Sequence, residues 1–408
     1  MKKESVTKTT TTSKKKNTKK IVLITLAVII GVLIVTAVGV GIWAVNLWHN
    51  AEAPSNGSEG TLPFDTGNIT PPNTSGPDQT KEPDNTDDPD KSKMYNFLLL
   101  GADKVAANTD VIMLISYNVE EKKIAVMQIP RDTYVEIDGT SHKINALYGM
   151  YYNEGVYKRD DDPREYGLSK LEQTLEQNLC ININYHAMVN LEGFRNIVDL
   201  LGGVEVDLPQ NISYLDEDQG KNITLKKGKQ ILDGKKAEGF VRFRSGYLQA
   251  DIGRLDAQKI FMSALLKEVK NDFSVTTIVK IAGQIFKHVK TDIELEEMVY
   301  FAKNLLTVDM NNIKFMTLTG YSPTPPEGMS WYYVMNRKGG LQLINEYFNI
   351  YNFEITDSIF DQNEIFYSNN GQAEYLNKYY ECDPENLIGG NISSADDINK
   401  GTIDIPSY

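Results

Sequence analysis

The sequence is poor in histidine and cysteine, the residues from which most zinc sites are built. In 408 residues it has four histidines, His49, His142, His186 and His288, and no two of them have the spacing of a zinc site. It also lacks the GxSxG motif of a serine hydrolase and the P-loop of a nucleotide-binding enzyme. These absences argue against a metalloprotease, a serine hydrolase and a P-loop enzyme.

The sequence contains only two cysteines, Cys180 and Cys382. A chain of this length that is 41% hydrophobic can bury a full core, as one large domain or as two ordinary ones. Such a core needs no disulfide, so we expect both thiols to be free.

Positive charge is concentrated in one short segment. The formal net charge is -13, yet residues 1–20 carry eight lysines against the single acidic residue Glu4. The rest of the chain has a net negative charge, and it lacks the basic stripe of a nucleic-acid-binding surface. We therefore expect no nucleic acid partner.

A long uncharged run follows the basic segment. Residues 21–45 ("IVLITLAVIIGVLIVTAVGVGIWAV") would extend ~37 Å as a helix, which is enough for a hydrocarbon core of ~30 Å. The alternative, a cleaved signal peptide, has an apolar core of only about 7 to 15 residues, and Trp43 and Trp48 resemble anchors at a membrane interface. By the positive-inside rule, residues 1–20 are cytoplasmic, residues 21–47 form a transmembrane helix, and the rest lies outside the cell.

Composition divides the exterior part into three regions. Residues 48–93 contain seven of the fifteen prolines and almost no large apolar residues, which is typical of a disordered linker. Residues 94–354 have the apolar patterning of a folded domain, whereas residues 355–408 turn acidic and polar. We therefore predict a linker, one extracellular catalytic domain and an acidic C-terminal tail.

The predicted domain alternates strand-like and helix-like segments. Three dense apolar runs, "YNFLLLGAD", "TDVIMLISYN" and "KKIAVMQIP", are short, and the last two are rich in β-branched residues, so we predict strands. A leucine stripe at helical spacing follows, formed by Leu168, Leu171, Leu175 and Leu179. This alternation favours an α/β or α+β domain with a buried sheet.

Further helices are predicted along the domain. The segment "FRNIVDLLGG" predicts a helix that ends at two glycines, and "VEVDL" after it predicts a strand. Apolar periodicity predicts three more helices, at residues 253–270, 275–287 and 295–306.

Two aspartates flank the loop between the first two predicted strands. Asp103 ends one strand and Asp110 begins the next, with only "KVAANT" between them. Two carboxylates at close range repel by ~4 kcal/mol at an effective dielectric near 20 unless a cation lies between them. A Mg²⁺ ion, or Mn²⁺ in its place, would supply that charge and share phosphate oxygens with the carboxylates. On spacing alone, Asp110 could instead cap a turn while Asp103 is solvated.

Arginine is scarce, and half of it belongs to three short motifs. Of eight arginines, four lie in "QIPRD", "GFVRFRSG" and "DIGR", namely Arg131, Arg242, Arg244 and Arg254. If "GFVRFRSG" is extended, its two guanidinium groups project from one face. Arg254 would lie in the first turn of a helix, where the dipole disfavours a cation and favours a bound anion. Each arginine singly fits a surface ion pair, but together they favour a pyrophosphate site.

An ordered set of motifs resembles one protein family. The motifs are, in chain order, "NFLLLGAD", "TDVIMLISYN", "IPRDTYVEI", "KINALYG", "LEGFRNIVDLLGGVEVDLP", "LKKGKQILDGKKAEGFVRFRSG" and "DIGRLDAQK". This set, over residues 96–306, closely resembles the LytR-CpsA-Psr family of cell-wall glycopolymer ligases. The resemblance implies an α/β (α-β-α-like) domain with a mixed central sheet flanked by helices, preceded by one transmembrane helix.

Members of this family sit on the outer face of Gram-positive membranes and transfer teichoic acids or capsular polysaccharides from a polyprenyl-pyrophosphate carrier to peptidoglycan. The resemblance therefore implies a Mg²⁺-dependent phosphotransferase. Its partners would be a polyprenyl-pyrophosphate-linked glycan, peptidoglycan and, through one helix, the membrane. Two alternatives stay open, a pyrophosphohydrolase that uses the same pocket and a non-catalytic lipid-binding or regulatory protein of the envelope.

Motif by motif, the resemblance also implies roles for individual residues. Asp103 and Asp110 would hold Mg²⁺ against the pyrophosphate, and Asp251 would orient the arginines or the metal shell. Asp132 is the candidate general base or, alternatively, a salt-bridge partner that holds Arg131. The catalytic residues that would bind the pyrophosphate oxygens are Arg131, Arg242, Arg244 and Arg254.

Three residues complete the implied substrate contacts, namely Lys143, Asn145 and Gln258. The sequence departs from the family pattern at two positions and in the short loop between Asp103 and Asp110. Ala257 stands where a second arginine is usual in a GRxxRQ pattern, and Ala146 stands where a histidine often follows the KIN triplet.

Overall fold

The structure, a computed structural model, describes residues 46, 48–54, 93–102, 108–216, 221–244, 247, 251–271, 281, 287–351, 353–360, 365–369, 371, 373–384 and 391–401. Internal contacts divide the chain into two units, Met1–Ala51 and Glu52–Tyr408. In the first unit, the described residues between 46 and 50 are helical. The second unit contains the central sheet.

The predicted membrane-spanning helix at residues 21–47 lies outside the described residues, apart from Asn46. In the parts of the chain that the structure does describe, no helix is both long and apolar enough to cross a membrane. Most of the predicted linker and of the predicted helix at residues 275–287 also lies outside the described ranges.

The strands, in chain order, are β1 (Met94–Ala102), β2 (Thr109–Asn118), β3 (Lys123–Gln128), β4 (Tyr134–Ile137), β5 (Thr140–Lys143), β6 (Tyr185–Asn190), β7 (Val204–Leu208), β8 (Ile212–Asp216), β9 (Lys221–Leu225), β10 (Gly228–Leu232), β11 (Val289–Thr291), β12 (Ile313–Thr317), β13 (Gly320–Tyr321), β14 (Val334–Met335) and β15 (Ser393–Ser394). The α-helices are α1 (Leu147–Lys158), α2 (Pro163–Leu179), α3 (Leu191–Leu200), α4 (Gly234–Arg242), α5 (Asp251–Asn271), α6 (Leu295–Leu305), α7 (Arg337–Tyr347), α8 (Asp357–Phe360), α9 (Asn377–Glu381) and α10 (Ala395–Asn399).

Seven of these strands form a mixed central sheet in the order β11-β6-β1-β2-β3-β12-β15. The pairs β1–β6 and β3–β12 are parallel, and the other neighbours are antiparallel. The predicted α/β class with a mixed sheet flanked by helices is therefore confirmed. The first three predicted strands correspond to β1, β2 and β3.

Both faces of the central sheet are covered. On one face, Leu98 and Leu100 of β1 pack in a core cluster with the leucine stripe of α2. On the other face, the ring of Phe301 in α6 packs edge-to-face on Tyr95, with ring centroids 5.1 Å apart. Because side chains alternate along a strand, β1 supplies both cores at once. A third cluster joins α3, α4 and α5 to β7 and its neighbours.

Helix α2 confirms the predicted leucine stripe, since all four leucines are fully buried. Its first turn is stabilised by Asp162, whose carboxylate accepts hydrogen bonds from the backbone N–H groups of Arg164 and Glu165, and by Pro163 at the first helical position. It ends at Cys180, which adopts a left-handed conformation. Cys180 and Cys382 are both free thiols.

Helix α3 ends, as predicted, at two glycines. Gly203 has a φ of +101°, and a Cβ on it would come within 2.6 Å of a methyl group of Ile231. Both the left-handed backbone and the close approach of β10 therefore require glycine at this position. Strand β7 follows as predicted.

The structure contradicts the predicted extended conformation of "GFVRFRSG". Helix α4 continues through Arg242, and only from Phe243 is the chain extended. The carboxylate of Asp233 caps this helix by accepting the N–H of Lys236. Ala237, Phe240 and Val241 are spaced as i, i+3 and i+4, and this helical stripe faces the third core cluster.

The region from residue 355, predicted to be an acidic tail, contributes to the main core. The side chains of this region that are buried in the α2 cluster are Ile355, Ile359, Phe360, Phe366, Ala373, Leu376 and Tyr380. Further on, Ser393 and Ser394 pair with β12 at the end of the central sheet. These residues lie in short elements that are separated by polar loops. The sequence therefore shows no extended apolar pattern that would have identified them as core residues.

We predict that Phe360→Ala lowers the free energy of unfolding by about 3–5 kcal/mol, because it leaves a cavity in the main core. The side chain of Phe360 is 2% exposed. As a matched aromatic control, Tyr157→Ala removes a side chain that is 88% exposed, and the expected change is within about 0.5 kcal/mol. Urea denaturation measures both. Equal effects of the two substitutions would show that the C-terminal region does not share the core.

Candidate functional site

Several strand ends meet at one edge of the central sheet. Strands β1, β3 and β6 run in the same direction, because β1 is parallel to β6 and antiparallel to β2, which is antiparallel to β3. Their carboxyl ends therefore share an edge with the amino end of β2. In α/β sheets, ligand-binding groups lie at such an edge.

Asp110 lies at an irregularity between β1 and β2. Gly101 is opposite Val111 whereas Ala102 is opposite Thr109, so Asp110 is the extra residue of a β-bulge. A bulge changes the direction of a side chain at the end of a ladder. Gly101 is required here, because a Cβ on it would approach the Cβ of Val111 to 2.9 Å.

The register of β2 and β3 brings Arg131 to Asp110. Met113 is opposite Gln128, and continuing this antiparallel register past the end of β3 places Arg131 opposite Asp110. Arg131 Nη1 donates a hydrogen bond to Asp110 Oδ1. The motif "IPRD" thus closes β3 with an arginine that pairs with the start of β2.

A cavity of about 440 Å³ opens at this edge. Apolar side chains from β1, α3 and α5 form most of its wall, including Leu99, Phe194, Phe261 and Leu265. The polar and charged residues of its lining are Asp110, Asn190, Tyr214, Arg242, Arg244, Arg254 and Gln258. The cavity therefore combines a cationic region with an apolar region.

Arg242 is held by a buried carboxylate. Arg242 Nη1 lies 2.9 Å from Glu238 Oε1, and Arg195 Nη1 lies 2.8 Å from Glu238 Oε2. The Glu238 side chain is only 3% exposed, so it is a fixed anion between two guanidinium groups. The guanidinium of Arg242 also lies 5.7 Å from the ring centre of Tyr214, in a cation–π contact.

Arg254 and Gln258 are positioned by the first turns of α5. Arg254 is 3% exposed, and both residues line the cavity. Gln258 Oε1 accepts a hydrogen bond from Gln128 Nε2 at 3.2 Å, and Gln258 Nε2 donates to the carbonyl of Val241 at 3.3 Å. The amide of Gln258 thereby connects the end of β3 to the end of α4.

Arg244 differs from the other arginines of the cavity. Its side chain is exposed and forms no hydrogen bond or ion pair within the described residues, whereas its backbone carbonyl accepts the N–H of Tyr247 at 3.2 Å. The neighbouring Phe243 ring packs edge-to-face on Tyr247, with centroids 5.3 Å apart. Burial raises the pKa of Tyr247 well above its usual range, so its hydroxyl stays neutral. Gly253 lets α5 pack here, because a Cβ on it would meet the Cβ of Tyr247 at 2.3 Å.

Four predicted site residues, Arg131, Asp132, Lys143 and Asn145, do not line the cavity in the part of the chain that the structure describes. Lys143 Nζ is 2.9 Å from Asp132 Oδ1, whereas Arg131 Nε is 4.0 Å from Asp132 Oδ2. The backbone N–H of Asn145 donates to the carbonyl of Arg131 at 3.2 Å. These contacts hold the segment after β3 in place.

The predicted Mg²⁺ site is described only in part. Asp103 lies outside the described residues, and the side chain of Asp251 does too, although α5 begins at Asp251. The remaining predicted ligand, Asp110, offers carboxylate oxygens, which Mg²⁺ prefers, in the same cavity as three arginines. The carboxylate at this position fits a hard cation such as Mg²⁺.

Sequence patterns did not identify Glu238 and Arg195 as part of the site. Glu238 precedes Arg242 by four residues, a spacing that pairs side chains on a helix but not on a strand. Because "GFVRFRSG" was interpreted as extended, the helical spacing of Glu238 and Arg242 was not recognised. Asn190, a further cavity residue that was missed, caps α3 by accepting the N–H of Gly193 at 2.8 Å.

Comparisons with known proteins agree with one another. A family model described as the LytR_cpsA_psr family matches residues 68–348. The polyisoprenyl-teichoic acid–peptidoglycan teichoic acid transferase TagU of Oceanobacillus iheyensis is 32% identical over 271 residues, which cover 65% of this chain and 77% of that protein. The regulatory protein MsrR of Staphylococcus aureus is 35% identical over 205 residues, which cover 48% of this chain and 56% of that protein.

The fold is similar to that of a solved structure. The crystal structure of TagV from B. subtilis superimposes with a TM-score of 0.52 at 23% identity, covering 62% of this chain and 94% of that chain. At this identity the likeness concerns the fold.

We predict that Glu238→Gln lowers the free energy of unfolding by about 3 kcal/mol, because two guanidinium groups lose their shared buried anion. The matched control is Glu205→Gln on the exposed face of β7, for which a change within about 0.5 kcal/mol is expected. Urea denaturation provides the comparison. An equal free energy of unfolding for Glu238→Gln and the control would show that the Glu238 carboxylate does not hold Arg195 and Arg242 in place.

Proposed function

This chain belongs to the LytR-CpsA-Psr family, and from that premise we propose that it transfers a glycopolymer of teichoic acid or capsular polysaccharide type from a polyprenyl-pyrophosphate carrier to peptidoglycan. Its relative TagU is named as a transferase of teichoic acid to peptidoglycan, which supports this class of reaction. In this proposal residues 21–47 anchor the protein in the cell membrane and the domain acts on the outer face.

One observation carries the proposal, namely that Arg242, Arg244 and Arg254 line a cavity whose remaining wall is mostly apolar. A polyprenyl diphosphate has the same two parts, a highly charged head and a hydrocarbon chain. The guanidinium fork binds phosphate oxygens bidentately, and each charge-assisted hydrogen bond contributes about 1.5–3 kcal/mol. The apolar wall would accept the first part of the hydrocarbon chain.

We assign different roles to the charged residues. Arg244 and Arg254, together with Arg242, bind the diphosphate oxygens. Asp110 and Arg131 keep each other oriented at the strand ends. Asp132, which pairs with Lys143 outside the cavity lining, acts as a positioning residue for the segment of Arg131. Its geometry supports this role better than that of a general base.

In the proposed reaction, a hydroxyl oxygen of the peptidoglycan sugar forms a bond to the glycan-linked phosphorus. The bond from that phosphorus to the bridging oxygen breaks, polyprenyl phosphate leaves, and the hydroxyl proton is released to solvent. The arginines stabilise the negative charge that develops on the phosphate oxygens, and phosphoryl transfer depends mainly on such positioning and charge stabilisation. When bound near Asp110, Mg²⁺ would neutralise further charge on the diphosphate.

We predict that Arg244→Met reduces transfer by at least about 100-fold, because a donor to the developing charge is lost. Stability should not change, since the structure gives this side chain no partner within the described residues. The matched control is Arg164→Met, an exposed arginine of α2 outside the cavity lining. The assay combines the full-length protein in detergent with Mg²⁺, a synthetic polyprenyl-pyrophosphate glycan and peptidoglycan oligomers, and mass spectrometry detects the conjugate.

The same assay separates the alternatives. A transferase yields the covalent conjugate when peptidoglycan is present, whereas a pyrophosphohydrolase yields free phosphorylated glycan with or without it. Undiminished conjugate formation by Arg244→Met would contradict the role of the arginines. No product from the unmodified protein would contradict the proposed activity.

We predict that Asp110→Asn raises the Mg²⁺ concentration at half-maximal transfer about tenfold or more, because a neutral amide is a poorer ligand for a hard cation. Titration with Mg²⁺ separates this shift from any loss of maximal rate through Arg131. The exposed Asp207→Asn on β7 is the control. An identical Mg²⁺ dependence in Asp110→Asn and the control would exclude Asp110 as a Mg²⁺ ligand.

A further inference from the structure

A second group of charged side chains lies at the opposite end of β6 from the cavity. His186 is near the start of β6, four residues before Asn190 of the cavity lining. Glu172 of α2 and Asp292, directly after β11, bring their carboxylates to the same point. One ring nitrogen of His186 and one oxygen of each carboxylate all lie within 4.8 Å of one another. We propose that these three residues bind a divalent transition-metal ion of the Zn²⁺ type.

The distances suit such an ion. His186 Nδ1 lies 2.8 Å from Glu172 Oε2 and 3.5 Å from Asp292 Oδ2. Ligands bound tetrahedrally to Zn²⁺ at about 2.0–2.2 Å are about 3.3 Å from one another, so small side-chain shifts would complete the geometry. One imidazole nitrogen with two carboxylates suits Zn²⁺ better than Mg²⁺ or Ca²⁺, which take oxygen ligands.

A second set of contacts orients the three ligands. His186 Nε2 lies 3.4 Å from Glu165 Oε1, while Glu165 Oε2 is 2.9 Å from Lys290 Nζ. The backbone N–H of His186 donates to Asp292 Oδ1 at 2.8 Å, which leaves Oδ2 directed toward the imidazole. Carboxylates that hold the second nitrogen of a ligating histidine are a regular feature of metal sites.

Burial and charge also favour a cation. His186 is 2% exposed, so its ring is shielded from solvent, whereas Glu172 and Asp292 remain 19% and 35% exposed and leave a route for entry. His186 contacts the carboxylates of Glu165, Glu172 and Asp292, and Lys290 contacts those of Glu165 and Asp162. Lys290 and a protonated His186 together supply only two positive charges against these four. A divalent ion reduces this imbalance with the imidazole neutral.

The proposed ion would act as a structural link. It would connect α2 to β6 and to the three-residue edge strand β11, which pairs with the central sheet only through β6. Next to β11, His288 Nε2 lies 3.1 Å from the side-chain nitrogen of Asn196 in α3, a helix that lines the cavity. The ion would therefore stabilise the sheet edge on which one cavity wall rests. This inference depends on the fold and is independent of the proposed function.

The test is Zn²⁺ binding by the purified full-length protein in detergent. After dialysis against ZnCl₂ and then metal-free buffer, elemental analysis should find one Zn²⁺ per chain, and Zn²⁺ should raise the melting temperature where Mg²⁺ does not. Glu172→Gln and Asp292→Asn should each lower Zn²⁺ affinity at least tenfold. Glu165→Gln should lower it about 10- to 100-fold through the orientation of His186. The matched control His142→Gln, at a histidine of β5, should bind as the unmodified protein does.

The opposite results would overturn the proposal. No stoichiometric Zn²⁺, or equal binding by Glu172→Gln and the control, would mean that the cluster is an ion-pair network around an imidazolium. Burial acts to lower the pKa of His186, but the surrounding carboxylates outweigh it and raise the pKa. In that case the stability that His186 contributes would be lost as pH rises through its raised pKa, with or without Zn²⁺. Glu172 is partly exposed and glutamine has nearly the same shape, so we expect Glu172→Gln to fold. The comparison of Glu172→Gln with the control therefore does not require a substitution of the buried His186.

Discussion

The constraint on which the rest of the site depends is that guanidinium groups in and beside one cavity must be held in place by fixed carboxylates. Two like charges 4 Å apart repel by about 4 kcal/mol at an effective dielectric near 20. Fixed carboxylates offset this repulsion, since Asp110 pairs with Arg131, and Glu238 pairs with Arg195 and Arg242. A backbone feature places each carboxylate, the β-bulge at Asp110 and a helical turn before Arg242. These carboxylates thereby fix the positions of Arg131, Arg195 and Arg242.

The central sheet connects this cationic region to the apolar wall and to the distant histidine. Strand β1 ends at the cavity, while its buried residues contribute to the cores on both faces. Strand β6 reaches the cavity at Asn190 and carries His186 near its other end.

Much of this fold could be predicted wherever a regular pattern of apolar residues extends over a whole strand or helix. The runs of β1 to β3 and the leucine stripe of α2 are such cases. The alternation in "GFVRFRSG" fitted both a strand and the last turn of a helix, and only packing of Ala237 and Phe240 against the third core cluster decides between them. In the C-terminal region, buried residues such as Phe366 and Tyr380 are scattered among polar ones, so the sequence there showed no core.

The candidate site was predictable in its residue types but not in its contacts. The register that places Arg131 opposite Asp110 and the bulge at Gly101 depend on pairing between strands, which no local pattern reveals. Glu172, His186 and Asp292 are separated by up to 120 positions in the sequence, so spacing rules for metal ligands do not apply to them.

The most direct measurement is a crystal structure of the protein with a polyprenyl diphosphate. The diphosphate should lie within hydrogen-bonding distance of Arg242, Arg244 and Arg254, with the hydrocarbon chain along Phe194 and Leu265. A diphosphate bound elsewhere, or a cavity that stays empty at saturating ligand, would contradict the proposed function.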